Sequence, residues 1–308
     1  MSTTAFVFSG QGAQYFGMGE DLYKNSAKAR AVYEQASDVL GFDVAKKSFG
    51  EDDGDLSQTK YSQPLIFTLS MAAYAELSDR VPEPACVAGH SLGECAALCA
   101  AGVLTLEAGL SIIGERAAAM QDAAERQKGA MFAILGRDEP EILAACEAAD
   151  GYVVPVNYNC PGQIVIAGEE DAAVRASDAL KDAGAKVVRL AVNAAFHSKM
   201  MEGASSRFKA AVAAIPFEQP RIPFYSNVTG AAMPAIPDVS AYLAQQMISP
   251  VRFTDELLAM NQAGIDTFVE LGPGKTLCGL ARKTIKGART FPADNMQALE
   301  KAAAGIQE

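Results

Sequence analysis

Short apolar runs alternate with longer amphipathic stretches through most of the sequence, and this alternation restricts the possible folds more than any other feature. The apolar runs at residues 5–9, 85–90, 222–226 and 267–271 have the length of β-strands. The spacing of apolar residues predicts helices at residues 18–40, 64–79, 92–101, 106–126, 239–247, 254–263 and 275–286, and a short one at 295–308. Strands that alternate with helices indicate an α/β fold with a largely parallel sheet.

Three residues mark the expected starts of helices. Pro64 suits the first turn of its helix, where no backbone N–H is needed, and Thr105 and Thr254 are suitable N-caps.

Residues 128–192 follow a different order of elements. Strands are predicted at 130–136, 152–159, 163–168 and 186–192, and helices at 139–149 and 169–183. This β-α-β-β-α-β order is the ferredoxin-like motif. We therefore predict a main domain of residues 1–127 and 193–308 with a ferredoxin-like subdomain, residues 128–192, inserted into it. A cleft between the two is the expected place for a small-ligand site.

Composition narrows the function classes. The chain has 308 residues, of which 50% are hydrophobic, and a net charge of −11, which is typical of a globular protein and disfavours nucleic-acid binding. No apolar run approaches the roughly 20 residues that a membrane helix needs, and the first residues lack the basic segment of a signal peptide. Six cysteines without a CxxC pair and only two histidines predict no metal site and a cytoplasmic protein with reduced thiols.

The residues most specific for chemistry are Gly89-His90-Ser91-Leu92-Gly93, a G-x-S-x-G between a predicted strand and a predicted helix. In this context the motif is typical of a nucleophile elbow, which raises the serine hydroxyl above the sheet edge. The alternative is a tight turn in which Ser91 only caps the following helix.

A serine nucleophile needs a base, and the chain offers only His90 and His197. His90 adjoins the nucleophile, so its side chain is expected to point away from the reaction. His197 follows the last strand of the inserted unit and is the predicted general base. A lone histidine is more often a hydrogen-bonded core or surface residue than a catalytic one. Because the chain has only two histidines, however, a base for Ser91 has no other candidate, and this favours the catalytic interpretation of His197.

The loop after the first strand, residues 9–14, contains Gly10 and Gly12. These glycines would let backbone N–H groups approach a ligand, so this loop could supply an oxyanion donor beside the amide of Leu92. The nucleotide-binding pattern G-x-G-x-x-G is not satisfied, because position 15 is Tyr15.

Several motifs extend along nearly the whole chain in one order. They occupy residues 8–14, 62–64, 89–94, 155–163, 195–198, 226–228 and 270–274, together with Arg116, Met120, Gln121, Gln246, Pro250 and Val251. Together they resemble the malonyl-CoA:acyl carrier protein transacylases of fatty acid synthesis, which are related to polyketide synthase acyltransferase domains. The resemblance implies an α/β-hydrolase-like domain with a ferredoxin-like subdomain. It also implies ping-pong malonyl transfer from malonyl-CoA through a malonyl-serine intermediate, without a metal or other cofactor.

The same resemblance implies roles for individual residues. Arg116 would pair with the free carboxylate of the malonyl group, a task that suits a planar guanidinium. Gln246, by its backbone or its side chain, would orient His197. The remaining predicted site residues are the oxyanion donors Gln11 and Leu92, and the substrate-binding residues Gln63, Asn159 and Phe196. Phe196 resembles the malonyl-type enzymes, in which a bulky aromatic leaves little room for an α-methyl group. Cys95 departs from the aromatic residue of many relatives and is expected to alter packing only.

Three alternatives stay open. The chain could serve a polyketide pathway as a trans-acting acyltransferase. It could be a serine esterase or thioesterase, with Asp138, Asp150 or Asp171 as the triad acid. It could also be a non-catalytic subunit that binds a carrier protein, although Ser91, Arg116 and His197 are all present.

The predicted partner, an acyl carrier protein, is acidic, and two acidic proteins repel unless charge is unevenly distributed. Residues 272–290 carry no acidic residue but five basic ones, which we call the basic segment: Lys275, Arg282, Lys283, Lys286 and Arg289. It is a candidate docking surface, and the alternative is a solvated helix face. We expect a monomer.

Overall fold

A computed structural model of the protein describes residues 3–50 and 55–307. Six strands form the main sheet, in the order β10-β9-β1-β2-β7-β8. They are β1 (Thr4–Phe8), β2 (Cys86–Gly89), β7 (Phe224–Ser226), β8 (Ala231–Met233), β9 (Thr267–Leu271) and β10 (Arg289–Ala293). All neighbouring pairs are parallel except β7 and β8. The chain is therefore an α/β protein, as predicted.

Helices cover both faces of the main sheet. The larger core contains residues of α1 (Glu20–Asn25), α2 (Ala27–Leu40), α3 (Val44–Phe49), α4 (Thr59–Leu77), α5 (Gly93–Ala100), α6 (Leu106–Arg126), α9 (Glu202–Val212), α10 (Val239–Met247) and α13 (Met296–Gln307). The smaller core lies under α11 (Phe253–Gln262) and α12 (Thr276–Thr284). Along β1, Phe6 and Phe8 enter the larger core, whereas Ala5 and Val7 enter the smaller one. A strand buried on both faces is typical of a parallel sheet.

A second, antiparallel sheet has the order β4-β5-β3-β6. Its strands are β3 (Gly129–Leu135), β4 (Val153–Cys160), β5 (Gln163–Glu169) and β6 (Lys186–Arg189), with α7 (Glu139–Ala148) after β3 and α8 (Glu170–Asp182) after β5. This is the predicted ferredoxin-like arrangement. Val251 of the main domain forms two backbone hydrogen bonds with β4: its N–H donates to the carbonyl of Val156, and its carbonyl accepts from the N–H of Tyr158. The predicted domain boundaries at 127/128 and 192/193 stay a prediction, and residues 1, 2 and 308 lie outside the described residues.

The structure corrects three local predictions. The helix expected over 18–40 is divided at Ser26, whose hydroxyl accepts from the N–H of Ala29 and caps α2. Pro64 lies inside α4 rather than in its first turn, because the helix already begins at Thr59. The polar residues before Pro64 are part of the helix, and burial of Thr59 and Gln63 stabilises that extension. Thr254 does not cap α11. It lies in the first turn, and its hydroxyl donates to the carbonyl of Tyr158 across the domain contact.

Thr105 does cap α6, with its hydroxyl 3.1 Å from the N–H of Ala108. The sequence predicts none of α3, α9, β8 and β10. Strands β8 and β10 are edge strands of short length or mixed exposure, and their pattern is weaker than that of the buried central strands. Within the described residues, no helix combines the length and apolar character needed to cross a bilayer.

Candidate active site

The site forms where β1 and β2 end side by side. The two strands are parallel neighbours with Phe8 opposite Gly89, so the loops that follow them meet at one edge of the sheet. Gly93 makes this close approach possible, because a Cβ there would overlap the backbone carbonyl of Phe8. The sequence pattern of strand, elbow and helix therefore brings residues 9–12 against residues 89–93.

Ser91 has a left-handed backbone, with φ of 55°. This conformation is costly for a residue with a Cβ and persists only where neighbours hold it. Asn227 provides that support, because its side-chain oxygen accepts from the N–H of Ser91 at 2.8 Å and its amide nitrogen donates to the carbonyl of Gly89 at 2.6 Å. The geometry is that of the predicted nucleophile elbow.

His197 lies beside the serine. The Ser91 Oγ and His197 Nε2 atoms are 2.7 Å apart, and His197 Nδ1 is 3.0 Å from the backbone carbonyl oxygen of Gln246. A carbonyl can only accept, so Nδ1 carries the proton and Nε2 accepts from the serine hydroxyl. This is the tautomer that a general base requires. The backbone of Gln246, rather than its side chain, contacts the imidazole.

Burial and the nearby charge of Arg116 lower the pKa of His197 to about 3. The imidazole is therefore neutral at ordinary pH. It is buried, and its backbone is left-handed, with φ of 62°.

Arg116, on α6, is completely buried and lies next to the nucleophile. Its Nη2 donates to Ser91 Oγ at 3.2 Å and to the side-chain oxygen of Gln246 at 3.0 Å, and its Nη1 donates to Gln63 Oε1 at 2.7 Å. Its Nε has no hydrogen-bond partner within the described residues. All of these partners are neutral, so the guanidinium has no carboxylate in direct contact. A buried cation of this kind is a candidate site for an anionic group.

The two predicted oxyanion donors lie on the loops that meet at the elbow. Within the described part of the chain, the backbone N–H groups of Gln11 and Leu92 have no hydrogen-bond partner. The Gln11 side chain accepts from Gln63 Nε2 at 3.3 Å, so Gln63 links this loop to Arg116. Gln63 is buried, and its predicted role in substrate binding stays a prediction.

A cavity of about 480 Å³ opens over the serine, a size that suits a small ligand. Its wall includes Ser91, His197, Gln11 and Phe196 together with residues of the second sheet, so it lies in the predicted cleft between the domains. Phe196 is buried and lies on the cavity wall with Ser91 and His197.

Asn159 does not line this cavity. Its side-chain oxygen is 2.8 Å from His90 Nε2, and both residues border a smaller adjoining cavity. His90 also lies on the wall of the main cavity, but its ring nitrogen Nε2 bonds to Asn159 and not to Ser91 or His197.

The three acidic residues considered for a triad do not contact His197. Asp138 caps α7 in the antiparallel domain, Asp150 offers its backbone carbonyl to Arg175, and Asp171 lies in the first turn of α8. Within residues 3–50 and 55–307, no three His, Cys, Asp or Glu side chains cluster as metal ligands would.

The family model described as "Acyl transferase domain" matches residues 5–303. The chain belongs to the acyl transferase family.

Comparison with known proteins also confirms the resemblance predicted from the motifs. The malonyl CoA-acyl carrier protein transacylase of Bacillus subtilis is 34% identical over 312 residues, which cover 100% of this chain and 98% of the relative. The solved structure of the corresponding transacylase of Xanthomonas oryzae is 36% identical, with a TM-score of 0.94 over 99% of this chain and 98% of that one.

A third similar structure is a type II polyketide synthase acyl-carrier protein in complex with its malonyl-transacylase. The matching chain of that structure is 33% identical to this chain, with a TM-score of 0.92, and the match covers 98% of this chain and 99% of that one.

The basic segment of this acyl transferase lies close to its cavities. All five basic residues are exposed, and none of them forms an ion pair with the acidic residues that the structure describes. Thr276, Leu277 and Leu280 of α12 line the smaller cavity together with His90 and residues 10–13. Helix α12, which carries Arg282 and Lys283, thus borders the smaller cavity.

Several polar residues of the acyl transferase site were not singled out from the sequence. Glu94 and Asn227 lie directly beneath the elbow, and Asn157 and Arg189 line the main cavity. Glu94, Asn157 and Asn227 lie within the recognised motifs, but no role was assigned to them individually. Arg189 lies outside every motif.

Proposed function

We propose that this chain transfers the malonyl group from malonyl-CoA to the phosphopantetheine thiol of an acyl carrier protein in fatty acid synthesis. The observation that carries the proposal is the short Ser91–His197 hydrogen bond beside a buried arginine without a carboxylate partner. The family and the names of the similar proteins support it.

In the first half-reaction the Ser91 hydroxyl gives its proton to His197 Nε2 while Oγ attacks the thioester carbonyl. The N–H groups of Gln11 and Leu92 hold the oxyanion. The carbon–sulfur bond then breaks, and CoA leaves as a thiol with the proton from His197. The Gln246 carbonyl accepts from Nδ1–H and stabilises the transient imidazolium.

In the second half-reaction the thiol of the carrier protein gives its proton to His197 and attacks the malonyl-serine ester. The ester carbon–oxygen bond breaks, and Ser91 Oγ takes the proton back. All of these groups come from one chain, so the proposed function requires no second copy.

Arg116 is the proposed selector of the acyl group. A malonyl carboxylate beside Nη2 would neutralise the buried guanidinium, whereas an acetyl group would leave that charge unpaired. Phe196, on the cavity wall, would restrict space at the α-carbon and disfavour methylmalonyl groups.

The proposed docking surface for the carrier protein is the basic segment. Its five exposed cations are not neutralised by ion pairs with described residues, and α12 borders the smaller cavity beside the elbow. An acidic carrier that docks there would place its phosphopantetheine arm close to the site.

A polyketide carrier is the second candidate partner, because the similar complex contains one. Parallel transfer assays with a fatty acid carrier and a polyketide carrier would separate the two. We place the activity in the cytoplasm, since all six cysteines are free thiols.

The proposal is tested by the intact mass of the protein after brief incubation with malonyl-CoA. Wild type and the control Ser111→Ala, which changes a hydroxyl on the outward side of α6, should carry a malonyl adduct that Ser91→Ala lacks. Carrier protein bearing phosphopantetheine should discharge the adduct, and carrier without it should not. Release of free malonate at the same rate without carrier would instead indicate a thioesterase. Unchanged malonyl-CoA with no adduct would indicate a non-catalytic carrier-binding subunit.

A further inference from the structure

A buried polar cluster lies beneath the elbow and has no part in the mechanism above. Glu94, on the first turn of α5, is completely buried. Its carboxylate accepts from the backbone N–H of Asn227 at 2.6 Å, from the Tyr242 hydroxyl at 2.8 Å and from Gln246 Nε2 at 2.8 Å. A buried charge with three donors is built into the fold at an energetic cost, which calls for a functional explanation.

We infer that Glu94 is a positioning residue that fixes the Gln246 amide and, through it, the guanidinium of Arg116. This inference rests on the proposed function, because it assigns Glu94 to the selection of malonyl groups by Arg116. Glu94 itself contacts neither the cavity nor the guanidinium.

The orientation of the Gln246 amide follows from its neighbours. A carboxylate only accepts hydrogen bonds, so the amide nitrogen must face Glu94. The amide oxygen then faces the other way and accepts from Arg116 Nη2 at 3.0 Å. The amide dipole lies between an anion and a cation, with its negative end toward the guanidinium, and the charges at both ends stabilise this orientation.

Burial raises the pKa of both acidic residues of the cluster. Burial raises the pKa of Glu94 to about 7, although three hydrogen-bond donors and the charge of Arg116 oppose that shift. Glu256, which accepts from Asn227 Nδ2 at 2.7 Å, has a pKa raised well above its ordinary value by burial and by the charge of Glu94. Glu256 contacts neither Gln246 nor Arg116.

Gln246 also connects Arg116 to the nucleophile. The Gln246 amide nitrogen donates to the carbonyl of Ser91 at 2.7 Å, so one side chain contacts Glu94, the elbow and the arginine. The guanidinium held in this way keeps Nη2 at 3.2 Å from Ser91 Oγ. An acyl group attached to that oxygen would have its far end within reach of the guanidinium only while this orientation holds.

The test is the ratio of malonyl to acetyl transfer, measured as kcat/KM for each acyl-CoA. In Glu94→Gln an amide nitrogen faces the nitrogen of Gln246, so the Gln246 amide turns and presents a donor to Arg116. We expect the ratio to fall about tenfold, through malonyl transfer. The matched control is Glu256→Gln, which replaces a buried carboxyl of the same cluster that contacts neither Gln246 nor Arg116, and it should keep the wild-type ratio. Gln246→Met removes the side-chain amide that joins Glu94 to Arg116, and it should lower the ratio as Glu94→Gln does. This variant replaces Glu94→Gln in the test if Glu94→Gln does not fold.

A double-mutant cycle separates positioning from a general structural role. If Glu94 acts through Arg116, adding Glu94→Gln to Arg116→Ala should not change the ratio further. An unchanged ratio in both Glu94→Gln and Gln246→Met, or additive effects of Glu94→Gln and Arg116→Ala, would overturn the inference alone. Absence of malonyl transfer in wild type would overturn the proposed function instead, and an unchanged ratio in Arg116→Ala would overturn the acyl-selecting role of Arg116 on which the inference rests.

Discussion

Ser91 and His197 share a backbone conformation that no other non-glycine residue in the described parts of the chain adopts. Their φ angles are 55° and 62°, and their side chains meet in a hydrogen bond of 2.7 Å. Left-handed backbone at a non-glycine residue stores strain, and such residues concentrate at functional sites. Both partners of the proposed nucleophile–base pair are therefore held in place at a cost to stability.

The strain at Ser91 predicts a difference between two inactive variants. Ser91→Gly and Ser91→Ala both lose the hydroxyl, but only glycine adopts positive φ without a steric penalty. We expect Ser91→Gly to have the larger free energy of unfolding, by about 1 kcal/mol. Urea denaturation of both variants measures this, and equal midpoints would contradict strain at the elbow.

Contact between the first loop and the elbow predicts that Gly93→Ala is destabilising. Its Cβ would overlap the backbone carbonyl of Phe8, which cannot move without disturbing β1. We expect a loss of about 1–3 kcal/mol in thermal or urea unfolding. The control is Gly279→Ala in α12, where a Cβ would meet nothing within 4 Å and the helix should gain stability.

The lowered pKa of His197 predicts the pH dependence of acylation. The neutral imidazole is the active base and exists above its pKa of about 3, so the acylation rate should not fall near pH 6.5, where an ordinary histidine titrates. Arg116→Ala removes one cause of the lowering, so the acid limb should move to higher pH. Single-turnover acylation by acetyl-CoA, which has no acyl carboxylate, measures both proteins. An acid limb at the same pH in both would contradict the electrostatic role of Arg116.

Burial of Arg116 without a carboxylate partner predicts acyl selectivity. In Arg116→Ala, malonyl transfer should fall by about 100-fold or more, since a hydrogen-bonded charge pair is lost, whereas acetyl transfer should fall less or rise. Arg116→Lys should recover little, because an ammonium group cannot make the same planar contacts. Equal losses for both acyl groups in kcat/KM would contradict the proposed pairing.

Exposed cations of the basic segment predict a defect confined to the carrier step. Reversing Arg282, Lys283 and Lys286 to Glu should raise the KM for carrier protein, more strongly at low salt, and leave acylation by malonyl-CoA intact. The control reverses three exposed lysines on helices of the other sheet face: Lys60, Lys209 and Lys301. A matching rise in KM for the control would point to net charge rather than docking.

Much of this protein was predictable because the decisive signals are local. Apolar periodicity and the glycines around Ser91 report on the backbone of their own segment, so the α/β fold, the ferredoxin-like order of elements and the elbow followed from the sequence. His197 followed from scarcity, since only two histidines exist.

Tertiary packing decided what local signals do not carry. Contacts between residues far apart in the chain explain why the backbone of Gln246 orients the imidazole and why Asn159 bonds to His90 instead of lining the main cavity. Burial in the folded protein likewise explains why α4 begins before Pro64. The link from Glu94 through Gln246 to Arg116 consists of two hydrogen bonds, between residues that are 152 and 130 positions apart in the chain. Burial and hydrogen-bond complementarity, rather than sequence spacing, determine which residues form it. The sequence by itself determined which groups could react, and only the folded structure determined how they are held.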